Sequence, residues 1–351
     1  MSFSPKNILV CGGSGFIGSN FIRYIYNKYS DYKIFNLDLL TYAGNQENLL
    51  DIEQKENKID LAKKRYSFIH GDICDGAILN NVFSKNNFDI IVNFAAESHV
   101  DRSFVNSFDF IRTNVEGVRS LVEAARKYNI AKFIQISTDE IYGSVSSGFS
   151  TEEAPFQPSN PYAASKAAAD LLVQSYIKTH RVPALIIRGS NNYGPFQYPE
   201  KLIPLAILNM VENKKVPIHG SGEHKRSWLH VNDFCDAIDI IIHEAADHSI
   251  FNVSGEEKSN LEILEIISRN FGGDLESLKE HTKDRPGADL RYAPDCSKLK
   301  SELGWLPKYN IEGSLKEIVN WYQDNQDWWR KIKSKKNYQD HYERQVKAEY
   351  Y

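Results

Sequence analysis

Residues 7–11 form a short apolar run that ends in Gly12-Gly13-Ser14-Gly15-Phe16-Ile17-Gly18 and passes directly into a helical pattern over 16–27. Gly12, Gly15 and Gly18 therefore fall on a strand-to-helix turn. There a missing side chain lets backbone approach a pyrophosphate, and the helix N-terminus offers free N–H groups to its charge. A glycine-rich turn alone is a common accident. Here Asp38 ends a second strand-like run, 33–38, twenty residues after Gly18, where an acidic side chain accepts hydrogen bonds from both hydroxyls of an adenosine ribose. Together the two features predict a dinucleotide-binding turn, and the Asp38 carboxylate, which would repel a 2'-phosphate, favours NAD over NADP.

The following segments keep to the same plan. Strand-like runs at 67–70, 89–93, 132–137 and 183–188 alternate with helical patterns at 77–84, 107–128 and 162–179, the order of βαβ units around a parallel sheet buried on both faces. The fold class expected is α/β: a Rossmann-type doubly wound parallel sheet with a smaller mixed α/β C-terminal substrate domain. The dinucleotide domain is placed at 1–190 and the smaller domain at 191–351. A helical run at 232–243 followed by 250–253 suggests that 231–255 returns to the first sheet. Further helices are expected near 202–213 and 261–270. The charged stretch 51–65 reads as a solvated helix and loop, and the segment from Trp328, rich in Trp, Tyr and Lys, as a surface helix with a frayed tail.

Composition removes several classes. With 351 residues, 42% hydrophobic and 25% charged, the chain is globular and long enough for two domains. A formal net charge of -4 argues against nucleic-acid and anionic-membrane partners, which need a basic surface. The longest apolar runs, 90–94 and 238–242, fall far short of the roughly 18 residues that span a bilayer. No secretory signal order precedes the first strand, so a cytoplasmic enzyme is expected. Cys11, Cys74, Cys235 and Cys296 form no C-x-x-C pair and the histidines no H-E-x-x-H, so neither a disulfide framework nor a metal site is expected.

Tyr162-Ala-Ala-Ser-Lys166 opens the helix after Pro161, and the i, i+4 spacing puts phenol and ammonium on one face. A tyrosine of pKa about 10 is a poor base at neutral pH. Drawing it to about 7 takes roughly 4 kcal/mol, which a lysine and a positive nicotinamide supply in a partly desolvated site. Thr138-Asp139-Glu140 follows the fifth strand-like run. Alcohol oxidation needs only the tyrosine and the nicotinamide, so two extra carboxyls imply a further proton-transfer step. The triplet resembles that of nucleotide-sugar-modifying enzymes, and the resemblance implies that oxidising carbon 4 of a hexose acidifies the hydrogen on carbon 5, after which the carbon 6 hydroxyl can be eliminated.

These motifs resemble the extended, nucleotide-sugar-modifying branch of the short-chain dehydrogenase/reductase superfamily, and over nearly the whole chain the dTDP-glucose 4,6-dehydratase family. The match includes 38–45, 71–73, 95–103, 113–115, 190–195, 199–204 and Asp284-Arg-Pro-Gly287. The resemblance implies a homodimer packed through helices near 107–128 and 162–179, with retained NAD. It implies that Thr138 and Tyr162 hold the sugar, with Asp139 as general acid, Glu140 as general base and Lys166 beside Tyr162. Cofactor contacts are implied for Gly12, Gly15, Phe16, Ile17, Gly18, Asp38, Thr41, Asp72, Ile73, Ala95, Ala96, Thr113, Tyr162, Lys166 and Asn192. Ser98, Asn191, Glu200, Lys201, Leu202, Arg226, Asn260 and Arg285 would line the sugar-nucleotide pocket together with Thr138; His99 and Asp101 would shape the adjoining loop. Two positions depart from the family: Cys11 replaces a threonine hydroxyl with a weaker thiol donor at the cofactor edge, and Ala288 stands where relatives have histidine, which leaves base preference open. The same chemistry on UDP-glucose is the nearest alternative; a 4-epimerase, a decarboxylase and an idle NAD-binding sensor are further ones.

Overall fold

In the computed structural model, residues 5–285 and 287–347 are described. The start of the chain, Pro286 within the Asp284–Gly287 motif and the end of the tail lie outside them. Seven parallel strands make the central sheet in the order β10-β6-β5-β4-β1-β2-β3. They are β1 (Asn7–Cys11), β2 (Lys33–Asp38), β3 (Tyr66–His70), β4 (Ile90–Asn93), β5 (Lys132–Thr138), β6 (Ala184–Gly189) and β10 (Ile250–Val253). Alternate side chains of β1 explain why the sheet is covered on both faces. Ile8 and Val10 join one core with Phe21, Phe234 and Ile238, while Leu9 and Cys11 join the other with Leu121, Phe133 and Val173. Because β1 pairs with β2 on one side and β4 on the other, the chain winds outward in both directions from this point. A crevice opens there at the carboxyl ends of the strands.

The smaller unit carries two short sheets. One has the order β11-β9-β7, from β7 (Asn191–Tyr193), β9 (Lys225–His230) and β11 (Glu256–Ser259); the other pairs β8 (Val216–His219) with β12 (Lys279–Thr282). The chain returns to the large sheet through the helix Val231–Glu244 and β10, and once more through the helix Ser297–Leu303, whose Leu299 packs with Trp305 in the core of the first sheet. That second return lies within the stretch that the sequence pattern assigns to the smaller domain.

Three further segments differ from their sequence pattern. The helix expected over 107–128 is broken into Ser107–Ile111, a wide π-helical turn at Arg112–Gly117, and Val118–Lys127. Within the charged stretch 51–65, Glu56 is buried, accepting from the Arg65 N–H at 2.6 Å and from the Tyr26 hydroxyl. The segment from Trp328 is no surface helix. Trp328, Trp329, Ile332 and Tyr338 are buried in the core of the smaller unit, with Trp328 Nε1 donating to Asn48 Oδ1 at 2.9 Å and Trp329 Nε1 to the Tyr322 carbonyl at 2.8 Å. Aromatic rings at 321, 322 and 328 meet one another edge-on or tilted, which composition alone does not reveal.

Candidate active site

The glycine turn crosses the crevice at the end of β1. Gly12 has φ +75°, and a Cβ there would stand 2.5 Å from the Ala95 nitrogen; at Gly18 it would stand 2.3 Å from the Gly12 carbonyl oxygen. Only glycine permits this approach. Asp38 is buried at the end of β2, with Oδ2 accepting from Ser14 N at 2.9 Å and Oδ1 from Leu40 N at 2.8 Å. Both oxygens keep acceptor capacity toward the cavity. Thr41 and Asp72-Ile73 extend this wall, Ala95-Ala96 and Thr113 form the other, and Phe16, Ile17, Gly15, Tyr162 and Lys166 complete it. A narrow cradle of backbone at a helix N-terminus, with a carboxylate at one end, fits a dinucleotide. The π-helical turn has a part here. Its Asn114 accepts from Glu97 N at 2.9 Å and donates to the Glu97 carbonyl and to Ser165 Oγ, tying the β4 loop to the helix that bears Tyr162.

That helix, Pro161–His180, starts where Asn160 Oδ1 accepts from Ala163 N at 2.8 Å and proline occupies the first turn. Thr138 ends β5, and a short helical turn, Asp139–Tyr142, follows it. Thr138 Oγ1 accepts from Glu140 N at 3.3 Å and donates to Asp139 Oδ1 at 3.4 Å. Burial, then the neighbouring Glu140 charge, push the Asp139 carboxyl up to about 8. It is therefore protonated at neutral pH. Burial also raises Glu140, against the pull of Arg226 and Lys201. One acid holding its proton beside a second carboxyl held by two cations is the division of labour an elimination needs.

The phenol differs from its sequence expectation. Burial, and then Glu140, push Tyr162 up rather than down, with a hydrogen bond from Thr138 acting the other way. Lys166 does not answer it directly, because its ammonium donates to the Ile136 carbonyl at 2.6 Å. Burial lowers that lysine to about 8, opposed by Asp170.

A second cavity adjoins the first. Glu140 lines it with Asn191, Glu200, Lys201, Leu202, Arg226, Asn260 and Arg285, and Glu200 and Lys201 face both cavities. Two implied residues change sides: Ser98 lines the first cavity and Asn192 the second. Thr138 and Asp139 are buried and line neither cavity as it stands, but Thr138 bonds to both Asp139 and Glu140, and Glu140 lines the second. Arg226 stacks on Tyr292 at 4.2 Å, and Arg285 pairs with Asp101 at 2.8 Å, so Asp101 does more than shape its loop. Cys11 is fully buried in the sheet core beside Leu37 and is not among the residues lining the first cavity, whereas Ala288 lines the second. Sequence reasoning missed Asn160, His219, His224, Tyr292 and Gln345 on that wall. Asn160 before Pro161 was recognisable as a helix cap; the others carry no local signal.

Residues 9–318 match the family model of GDP-mannose 4,6 dehydratase. The chain is 42% identical over 332 residues to a dTDP-glucose 4,6-dehydratase of Streptomyces niveus, covering 93% of this chain and 96% of that one. It is 41% identical over 355 residues to the dTDP-glucose 4,6-dehydratase of Escherichia coli, with the same coverage of 93% and 96%. Among solved structures, DesIV, the dTDP-glucose 4,6-dehydratase of Streptomyces venezuelae with NAD and TYD bound, superposes with a TM-score of 0.87 at 39% identity, covering 93% of this chain and 99% of that one.

Proposed function

The chain belongs to the GDP-mannose 4,6 dehydratase family, and from that premise we propose that it is an NAD-dependent dTDP-glucose 4,6-dehydratase, a hydro-lyase that releases water and a dTDP-4-keto-6-deoxy sugar. The observation that carries the reading is the buried Asp139-Glu140 pair between the two cavities, one carboxyl protonated near neutrality and the other facing two cations. The glycine turn and Asp38 would hold NAD, which would supply a reversible hydride acceptor for carbons 4 and 6.

This chain's residues move the protons. Tyr162, hydrogen-bonded by Thr138, takes the 4-hydroxyl proton as its phenolate, the form that burial and Glu140 disfavour and that a bound, positively charged nicotinamide would favour. The Lys166 ammonium lies four residues on along the same helix, fixed on the Ile136 carbonyl, and keeps positive charge close to the phenol side of the cavity. Once carbon 4 is a ketone, Glu140 removes the carbon 5 proton while Asp139 gives its proton to the departing carbon 6 hydroxyl. Water leaves and a carbon–carbon double bond forms, to be reduced at carbon 6 and reprotonated at carbon 5. Arg226 and Arg285 on the second cavity meet the diphosphate, whose oxygens suit a planar guanidinium fork.

No helix among the described residues is long and apolar enough to cross a membrane. We assign a cytoplasmic homodimer. The reading is supported by four unpaired cysteines and by exposed Phe108, Ile111 and Leu171 on the helices that the resemblance places at the subunit contact. The test is to incubate the purified protein separately with dTDP-glucose and UDP-glucose and follow each by mass spectrometry. Loss of one water from dTDP-glucose is expected. Loss from UDP-glucose alone transfers the mechanism to the other nucleotide, and no loss from either, with NAD added, overturns the assignment.

A further inference from the structure

We propose that the C-terminal helix Lys336–Lys347 is part of the sugar-nucleotide site, with His341 and Gln345 as positioning residues that hold Glu200, and with it the 198–202 segment, in binding geometry. The proposal rests on the reading above and extends it to a part of the chain that no motif marks.

Glu200 is 1% exposed and faces both cavities. Its Oε2 accepts from Arg102 Nε at 3.0 Å and Nη2 at 2.8 Å. The helix closes the opposite side. His341 Nε2 stands 3.6 Å from Glu200 Oε2, and Gln345 Nε2 donates to the Glu200 carbonyl at 3.1 Å. The His341 ring meets His99 edge-on at 4.7 Å, and Tyr338 meets Tyr198 at 6.2 Å. Residues 338, 341 and 345 share one helical face, and every one of them lands on the 198–200 segment or on the His99 loop.

The sequence of this helix, Lys-Asn-Tyr-Gln-Asp-His-Tyr-Glu-Arg-Gln-Val-Lys, has too few apolar residues for burial alone to hold it down. It nevertheless buries a histidine and a glutamine; the Gln345 bond to the Glu200 carbonyl offsets part of that cost, while His341 Nε2, 3.6 Å from Glu200, makes no hydrogen bond. Gln345 also lines the second cavity itself. The neighbouring Lys201 donates to the Ser98 carbonyl at 3.0 Å and acts on Glu140, so a shift of this segment reaches both the nucleotide and the catalytic base. His99, Glu200 and His341 bring donor atoms within 4.8 Å of one another, the spacing of a metal site. The surrounding Arg102, Lys201 and Arg285 disfavour a divalent cation there. Packing of the His341 ring against His99 and beside Glu200 is left as the role of the cluster.

The experiment uses the full chain carrying His341→Ala with Gln345→Ala, with Glu343→Gln on the exposed face as control. Initial rates are measured with dTDP-glucose, dTDP binding by calorimetry, and NAD content after purification. KM and the dTDP Kd rise about tenfold, the equivalent of about 1.4 kcal/mol, with kcat within threefold, NAD content unchanged and His341→Gln restoring most of the loss. A folded double variant with unchanged KM and Kd overturns the proposal. Hydrogen exchange on the unsubstituted protein serves if the double variant does not fold: dTDP slows amides in 336–347 together with 198–202, and no change in the helix overturns the proposal equally. A protein that binds dTDP through this helix but does not dehydrate dTDP-glucose refutes the enzymatic reading and leaves the positioning role standing.

Discussion

Replacing Asp139 with Asn separates stability from catalysis. Folding lifts the carboxyl from its usual value to about 8 by burying it beside Glu140. Between about pH 4 and pH 8 the native chain therefore holds a proton that the unfolded chain has released, and stability falls as pH rises through that window, by about 1.4 kcal/mol per pH unit where the difference is a full proton. Below the window the group contributes no such loss, and above it the loss is complete. Asparagine has nearly the same shape and does not ionise. Asp139→Asn is therefore more stable than the unsubstituted protein, and its advantage grows by about 2 kcal/mol between pH 6 and pH 8. Urea unfolding at the two pH values, in NAD-saturated buffer, measures the change. The same variant loses its general acid, so loss of water slows by about 10²- to 10⁴-fold. Parallel stability curves for the two proteins would refute the buried, proton-holding carboxyl, and undiminished dehydration would refute its role. Glu140→Gln supplies a control, because removing that charge lowers the native Asp139 pKa and so narrows the window from its upper edge, the lower edge being set by the unfolded chain.

Three other sets of substitutions test separate parts of the molecule. Arg188 and Asp170, both fully buried, pair at 2.8 Å; Arg188→Met costs about 3–5 kcal/mol by stranding the carboxylate, and adding Asp170→Leu recovers most of it in a denaturation cycle. Trp329→Ala empties a site 1% exposed in the smaller core and costs about 3–5 kcal/mol, read from the urea midpoint; a cost below 1 kcal/mol would restore the surface-helix reading. Phe108 is 70% and Leu171 57% exposed, and Phe108→Asp with Leu171→Asp gives a monomer by light scattering, an unchanged mass ruling out that contact.

How far the sequence could be read follows from the range of each force. The large sheet was legible because β1, β4 and β6 are short, nearly unbroken apolar runs separated by helical spacing, and because the turn at Gly12 admits no side chain. Local rules do not carry the π-helical turn at 112–117, which is held by Asn114 bonding to Glu97 and Ser165. Nor do they carry the burial of Trp328 against Asn48, a contact across 280 positions. The i, i+4 spacing of Tyr162 and Lys166 placed both on one face correctly. It could not show that a carbonyl of β5 would take the ammonium.

The limit is sharpest at the catalytic pair. Thr138-Asp139-Glu140 gives two adjacent carboxyls, and adjacency alone makes neither of them an acid. What distinguishes them is desolvation, which depends on everything packed around β5 and on nothing within the triplet. Asp139 is 2% exposed behind the cavity wall, while Glu140 stands in the wall facing Arg226 and Lys201. Buried oxygens of Ser190, Asn192 and Gln197 lack a hydrogen bond in the same region, a concentration of unmet polar groups that a stable core avoids and a site for a polar ligand requires. The motif therefore locates the chemistry, whereas the assignment of acid and base comes from the packing of residues far away in the chain, Arg226 among them.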